Sequence, residues 1–195
     1  VMDGAPLFNL VSRCMKGANI KGFAGVLNGT TNFILSFMEN GGTFADGVKK
    51  AQEEGIAEAD PTMDTDGWDP AAKTAAIVNV LMGGAITPLD VDREGIASVT
   101  PKMAQDALAR GRRLKLICRG ETDCGNVKAS VKVEEVDQDD IFSMISHFGS
   151  AVRIESDLMH PNTLVHENPR LIDTAFGVIE DLITISEKTE QQFSH

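Results

Sequence analysis

The sequence has 195 residues, of which 42% are hydrophobic and 24% are charged, and its formal net charge is −11. These values are typical of a soluble globular protein with one large domain or two small ones. The negative charge argues against binding to nucleic acid or to an anionic membrane surface. It does not exclude an anionic small substrate, because local charge governs such binding. No apolar run approaches the roughly 20 residues of a membrane helix, and no signal peptide opens the chain.

The cysteines and the first residue indicate the redox environment of the protein and whether the chain is part of a longer one. Cys14, Cys118 and Cys124 are an odd number of cysteines without metal-type spacing, which predicts a reduced, cytoplasmic environment. No two of the four histidines are placed at a ligand spacing, so a histidine metal site is not predicted. The chain begins at Val1 rather than Met, which predicts that it is part of a longer protein.

The first half of the chain has mostly helical spacing of apolar residues. The pattern predicts a helix over residues 6–15, a strand over 20–27 and a helix over 30–40 that is capped by Thr30 or Thr31. Thr43 and Asp46 resemble a capping box for a third helix, which ends at Gly55. A further helix starts at Asp69 and ends near residues 83–84.

The second half is richer in strand signals. Residues 87–100 are expected to be irregular and 101–110 helical, with strands over 114–118, 127–136, 152–154 and 163–165. A short helix is predicted over 141–147, and a last helix over 171–185 has one apolar face. The chain is therefore predicted to be one α+β domain, 1–195, with helices packed on one face of a mixed, largely antiparallel sheet. The clean alternation from Val127 to Val133 suggests that the other face is free to pair in a homodimer.

An acidic stretch lies between Gly55 and Lys73. It carries five carboxylates before the first basic residue: Glu58, Asp60, Asp64, Asp66 and Asp69. Prolines and a glycine predict a loop here, and Asp69 followed by Pro70 has the form of a helix N-cap. Lys73 comes four residues after Asp69, so both side chains leave the first turn on the same side. The stretch is either a polar site with an ammonium at its mouth or an ordinary solvated surface.

A calcium loop is a second alternative for the same stretch. With Thr62 at the first position of an EF-hand loop, Asp64, Asp66 and Gly67 occupy the third, fifth and sixth positions. The twelfth position, which needs a bidentate glutamate, is then Lys73. Because an ammonium repels the ion, the calcium loop is rejected.

Three motifs carry a resemblance to a known family. They are GVLNGTTNFIL (residues 25–35), AQEEGIAEADP (51–61) and DGWDPAAK (66–73), and together they resemble the catalytic domain of homoserine dehydrogenases. The resemblance covers most of the chain. It implies an oxidoreductase of threonine and methionine biosynthesis that interconverts aspartate semialdehyde and homoserine with NAD or NADP. It also implies a homodimer.

The resemblance implies a role for individual residues. Lys73 corresponds to the proton-donating lysine, where an ammonium stabilises the forming alkoxide and supplies its proton. Gly55 corresponds to a glycine that lets the nicotinamide cofactor approach. The implied substrate contacts are Glu58, Asp69, Asp64, Gly29 and Thr30.

The sequence departs from the family pattern at both ends. The N-terminal nucleotide-binding domain with its G-x-G-x-x-G turn is absent, which predicts that this chain alone is inactive. Residues 1–6 resemble a sodium-binding turn, with carbonyls from Val1, Asp3 and Ala5, but the upstream glutamate ligand is missing. Residues 166–170 replace a glycine-rich turn against the cofactor, which leaves Arg170 as an alternative phosphate contact.

Two other functions remain open. A related dehydrogenase for another small hydroxy acid is suggested by the changed C-terminal turn and by Trp68. A non-catalytic binding domain of the same fold is the other alternative. The presence of Glu58, Asp69 and Lys73 together argues against it, because a scaffold does not need all three.

Overall fold

The computed structural model describes residues 1–123, 125–146 and 148–193, so Cys124 and the end of the helix predicted over 141–147 lie outside the described residues. The helices are α1 Leu7–Asn9, α2 Gly29–Glu39, α3 Phe44–Glu53, α4 Thr62–Thr65, α5 Trp68–Leu81, α6 Pro101–Ala109, α7 Ile141–Met144 and α8 Leu171–Phe193. The strands are β1 Ile20–Val26, β2 Asp92–Arg93, β3 Arg112–Asp123, β4 Asn126–Asp137, β5 Ser150–Ser156 and β6 Asn162–His166. A π-helical turn, Leu10–Cys14, continues α1. In the part of the chain that is described, no helix is both long and apolar enough to cross a membrane.

The six strands form one sheet in the order β2-β4-β3-β1-β5-β6. All neighbouring pairs are antiparallel except β2 and β4, which are parallel. The predicted α+β fold with a mixed, largely antiparallel sheet is confirmed. β2 was missed in a region expected to be irregular, because two residues are too few to show an alternating pattern.

The main hydrophobic core lies between the sheet and the long helices. Phe23 of β1, Cys118 of β3 and Val131 of β4 are buried there against Ile34 of α2 and Ile77 of α5. The alternating residues from 127 to 133 all belong to this core, either buried or packed against it. The period-two pattern therefore identified the correct face of β4, because successive side chains in a strand point to opposite faces.

The short helix α7 covers part of the second face of the sheet. Phe142 and Ile145 pack there against apolar side chains of β1, β3 and β5. Beside this smaller core, Lys115 of β3 is only 1% exposed. Its Nζ donates to the Asn32 side-chain oxygen at 2.5 Å and to the Ile145 carbonyl at 2.7 Å. Burial lowers the pKa of Lys115 to about 8, against the opposing attraction of Glu39.

The start of α5 differs from the prediction. The N-cap of this helix is Gly67 with φ +80°, and Asp69 lies inside the first turn. The prediction that Asp69 caps the helix is therefore wrong. A left-handed residue at Gly67 begins the helix two positions earlier, so the Asp69 carboxylate bonds to other side chains instead. The stability of α5 accordingly depends on Gly67 rather than on Asp69 as a cap.

We expect Gly67→Ala to lower the free energy of unfolding by more than about 2 kcal/mol. A left-handed φ costs a non-glycine residue about 1–2 kcal/mol, and a Cβ here would also lie 2.7 Å from the Glu94 carbonyl oxygen. Gly83→Ala is the matched control, because Gly83 has φ +67° but a Cβ there meets nothing within 4 Å. Urea unfolding followed by circular dichroism measures both. Equal losses in the two variants would contradict the steric part of this argument.

Candidate active site

The site is built around Asn28, which joins β1 to α2. Asn28 is the N-cap of α2, since its side-chain oxygen accepts from the Thr31 amide at 2.8 Å. The prediction that Thr30 or Thr31 caps this helix is therefore wrong. The cap uses the oxygen of the Asn28 side chain and leaves its amide nitrogen free to donate elsewhere. Asparagine is among the preferred N-cap residues. Its position directly before Gly29 could therefore have identified Asn28 as the cap from the sequence.

The amide nitrogen of Asn28 brings two distant carboxylates together. It donates to Asp64 Oδ1 at 2.7 Å and to Asp69 Oδ2 at 2.9 Å. Asp64 lies on α4 and Asp69 in the first turn of α5, so one buried side chain fixes the relative positions of three helices. The two carboxylates share a single donor group, and their remaining oxygen lone pairs can accept from a ligand.

Lys73 completes the cluster. Its Nζ lies 2.7 Å from Asp69 Oδ2 and donates to the Leu27 carbonyl at 3.0 Å. Lys73 and Asp69 thus lie on the same side of the helix, as predicted, and they form an ion pair across one helical turn. The Lys73 side chain is 30% exposed, so its ammonium is fixed in position but still accessible. Two carboxylates and one ammonium leave one negative charge, which suits a ligand with an ammonium group.

The rest of the acidic stretch is held in place by structural contacts. The stretch is not wholly a loop as predicted, because residues 62–65 form α4. Asp60 accepts from the Thr62 hydroxyl at 2.7 Å, and this bond lowers the pKa of Asp60. Arg93 bonds to the Asp66 carbonyl and stacks 3.7 Å from the centre of the Trp68 ring. These contacts hold the stretch against β2 and the start of α5.

The segment after α3 forms another side of the site. The Thr30 hydroxyl donates to the Ile56 carbonyl at 3.4 Å, which places this segment beside the start of α2. Gly55 ends α3 with φ +72°, and a Cβ there would meet nothing within 4 Å. Glu58 is exposed; its carbonyl accepts from Gln52 at 3.1 Å. Among residues 1–123, 125–146 and 148–193, no donor forms a hydrogen bond to the Glu58 carboxylate.

The sequence was compared with known protein families and with individual proteins. A family profile described as Homoserine dehydrogenase matches residues 6–183. The chain belongs to the homoserine dehydrogenase family. It is 34% identical to the NAD(+)-dependent homoserine dehydrogenase of Pseudomonas canavaninivorans over 100% of this chain and 56% of that protein. It is 36% identical to the homoserine dehydrogenase of Methanocaldococcus jannaschii over 95% of this chain and 54% of that protein.

A solved structure agrees with these relatives. The crystal structure of a homoserine dehydrogenase from Thiobacillus denitrificans superposes with a TM-score of 0.89 and 29% identity, covering 94% of this chain and 43% of that one. The chain therefore spans about half the length of the homoserine dehydrogenases that it matches.

A buried thiol, that of Cys118, lies close to the cluster formed by Asn28, Asp64, Asp69 and Lys73 in this member of the homoserine dehydrogenase family. The Sγ of Cys118 is 3.8 Å from the Pro70 carbonyl. Burial raises the pKa of Cys118 to about 12, more than the nearby Lys73 lowers it. Cys118 is fully buried and belongs to the main hydrophobic core.

The N-terminal turn and the altered C-terminal turn lie together. Met2 and Asp3 have left-handed φ values of 57° and 50°, and the Met2 carbonyl lies 3.2 Å from Nδ1 of His166. The Ala5 carbonyl already accepts from the Leu7 amide at 2.8 Å. Arg170 is an exposed side chain 3.9 Å from Asp173. In the described residues, no group of three histidine, cysteine, aspartate or glutamate side chains could hold a metal ion.

Proposed function

We propose that this chain is the catalytic half of an NAD(P)-dependent homoserine dehydrogenase, which interconverts aspartate semialdehyde and homoserine. The observation that carries the proposal is the placement of the accessible Lys73 ammonium 2.7 Å from Asp69, beside the carboxylate pair joined by Asn28. An aldehyde reductase needs a fixed proton donor next to the carbonyl oxygen. An amino-acid substrate also needs counter-charges for its ammonium.

The carboxylates hold the substrate. Asp64 and Asp69 are positioned by Asn28 and keep one uncompensated negative charge between them and Lys73. The substrate ammonium neutralises this charge and donates to the free carboxylate oxygens. Glu58, which is exposed, adds a third carboxylate by rotating its side chain toward the same ligand.

Lys73 acts as the general acid and, in the reverse direction, as the general base. As negative charge develops on the aldehyde oxygen, the ammonium stabilises it and donates a proton to the alkoxide, and in the reverse direction the neutral amine accepts that proton. A bound nicotinamide supplies or accepts the hydride. The open space at Gly55 fits this group, because no side chain stands between its backbone and an approaching ring.

The dinucleotide itself is proposed to be held by an N-terminal nucleotide-binding half. The relatives are about twice as long as this chain, and α8 offers an apolar face for such a domain. The exposed fractions on α8 are 59% for Phe176, 53% for Ile179 and 61% for Leu182. An apolar helix face of this size is usually covered by another part of the protein. Contact with the nucleotide-binding half would also bring residues 166–170 near the cofactor.

A homodimer is proposed through the second face of the sheet. Among the described helices, α7 covers only part of this face. Two ion pairs lie on this face: Arg119 with Glu134 at 2.7 Å and Arg153 with Asp140 at 2.9 Å. A second copy can cover these two ion pairs without leaving either arginine unpaired.

We expect the isolated chain to sediment as a dimer of two 20.9 kDa chains at micromolar concentration. Pairing of this face would cover side chains that α7 leaves partly exposed, such as those of Arg119 (39% exposed) and Glu134 (31% exposed). Sedimentation equilibrium measures the mass directly. A monomer under these conditions would count against the second face as an interface.

A sodium ion at the N-terminal turn is a further part of the proposal. The carbonyls of Val1, Asp3 and Ala5 are the proposed ligands. Ala5 keeps one lone pair after its bond from Leu7.

The function is tested with the full-length protein and the 195-residue chain side by side. We expect the full-length protein to oxidise homoserine with NAD or NADP, and the isolated chain to show no turnover because it does not hold the dinucleotide. A faster rate with another small hydroxy acid would favour a related dehydrogenase. No turnover of any hydroxy acid by the full-length protein would favour a non-catalytic binding domain.

A further inference from the structure

A cavity lies along the C-terminal half of α2, away from the candidate active site. Its volume is about 340 Å³, at the lower end of the roughly 300–1,000 Å³ of small-molecule sites. Glu39 in its wall is ten residues beyond Gly29, which is about 15 Å along a helix that rises about 1.5 Å per residue. None of Asn28, Asp64, Asp69 and Lys73 is among the described residues that line the cavity, so it is separate from the Asn28 cluster. The side chains that line it include Phe33, Phe37, Leu108, Glu39 and Arg113.

Glu39 is a buried carboxylate that faces this cavity. The residue is 8% exposed, and burial raises its pKa despite the attraction of Arg113 and Lys115. The closest cationic atom is Nη1 of Arg113 at 3.8 Å, which is too far for a hydrogen bond. In the described part of the chain, no donor bonds to the Glu39 carboxylate. A buried carboxylate in this state is stabilised by a ligand that brings N–H donors.

Arg113 is the complementary group at the cavity mouth. Its side chain is 37% exposed, and its contact with Glu39 is its sole ion pair within the described residues. A guanidinium presents five N–H donors in a plane that matches a carboxylate. Lys115 does not compete for a ligand, because its Nζ is already bonded to Asn32 and Ile145. An acceptor and a donor thus stand side by side, each with open bonding capacity.

We propose that this cavity binds a free α-amino acid with an apolar side chain. Its ammonium donates to Glu39 and its carboxylate accepts from Arg113, and these two ligand groups are attached to the same carbon. Phe33, Phe37 and Leu108 supply apolar surface for the ligand side chain. The zwitterion adds no net charge, so Glu39 and Arg113 are both satisfied without an additional ion. This inference does not depend on the proposed dehydrogenase activity.

The test is isothermal titration calorimetry of the 195-residue chain with L-leucine as the probe. Isovalerate lacks the ammonium, and isopentylamine lacks the carboxylate. We expect leucine to bind and each of the other two to bind about 10- to 100-fold more weakly, because each leaves one charged group without its partner. Isovalerate binding as tightly as leucine would overturn the proposal in favour of a simple anion site. The absence of leucine binding at millimolar concentrations would overturn it outright.

Three variants locate the binding. Arg113→Gln should weaken leucine binding about 10- to 100-fold. Arg112→Gln should change it less than about twofold, because Arg112 lies next to it on β3 with Asp137 as its partner at 3.1 Å. Asp69→Asn should leave leucine binding unchanged, whereas its loss would place leucine in the Asn28 cluster and overturn the proposal. Equal effects of Arg113→Gln and Arg112→Gln would also overturn it.

Discussion

Replacing Lys73 by methionine is expected to lower kcat of the full-length enzyme by about 10²–10⁴-fold, which is the usual contribution of a positioned general acid. The ammonium lies 2.7 Å from Asp69 and is the only cation within the Asn28 cluster as described. Its loss removes both the proton donor and the charge that stabilises the alkoxide. Steady-state kinetics with aspartate semialdehyde and with homoserine measure the effect in both directions.

The matched control for this prediction is Lys102→Met. Like Lys73, Lys102 lies on a helix and pairs with an aspartate one turn away, Asp106, at 2.6 Å, but it is 81% exposed. We expect this variant to keep its kcat. Circular dichroism should show that both variants remain folded, because neither lysine belongs to the hydrophobic core. A Lys73→Met enzyme with near-normal kcat, or one that unfolds, would return Lys73 to a purely structural role.

Replacing Asn28 is expected to give the second largest effect and to separate two roles of one side chain. Asn28→Ala removes the N-cap of α2, at about 0.5–2 kcal/mol of stability, together with both bonds to Asp64 and Asp69. Asn28→Ser keeps a capping oxygen but lacks the amide nitrogen. We therefore expect Asn28→Ser to retain most of the stability and to lose activity about 100-fold, as misplaced catalytic groups do.

Urea unfolding and kcat/KM measured on the same preparations test this separation. The alanine variant should be the less stable of the two, while both should be similarly impaired in catalysis. An Asn28→Ser enzyme with full activity would show that the carboxylates hold their positions without the amide. The structural account of the cluster would then be wrong, although the proposed role of Lys73 would be unaffected.

Much of the fold follows from local patterns. The alternation from Val127 to Val133 identified the buried face of β4, because the side-chain period of a strand is fixed by its backbone. Thr43 caps α3 as predicted, with its hydroxyl accepting from the Asp46 amide at 3.1 Å. The pairing of Asp69 with Lys73 also followed from sequence, since residues four apart share a helix face. Each of these features depends on neighbours within a few residues.

Only the tertiary structure decided how distant residues combine. Asn28 bonds to carboxylates that are 36 and 41 positions away, so no local pattern revealed it as the centre of the cluster. Gly67 replaced Asp69 as the cap of α5 because the chain turns into the helix in a left-handed conformation. Lys115 is charged in sequence yet almost fully buried, and Glu39 and Arg113 meet only because α2 lies beside β3. Burial and long-range bonding depend on the packing of whole elements, which a linear pattern does not contain.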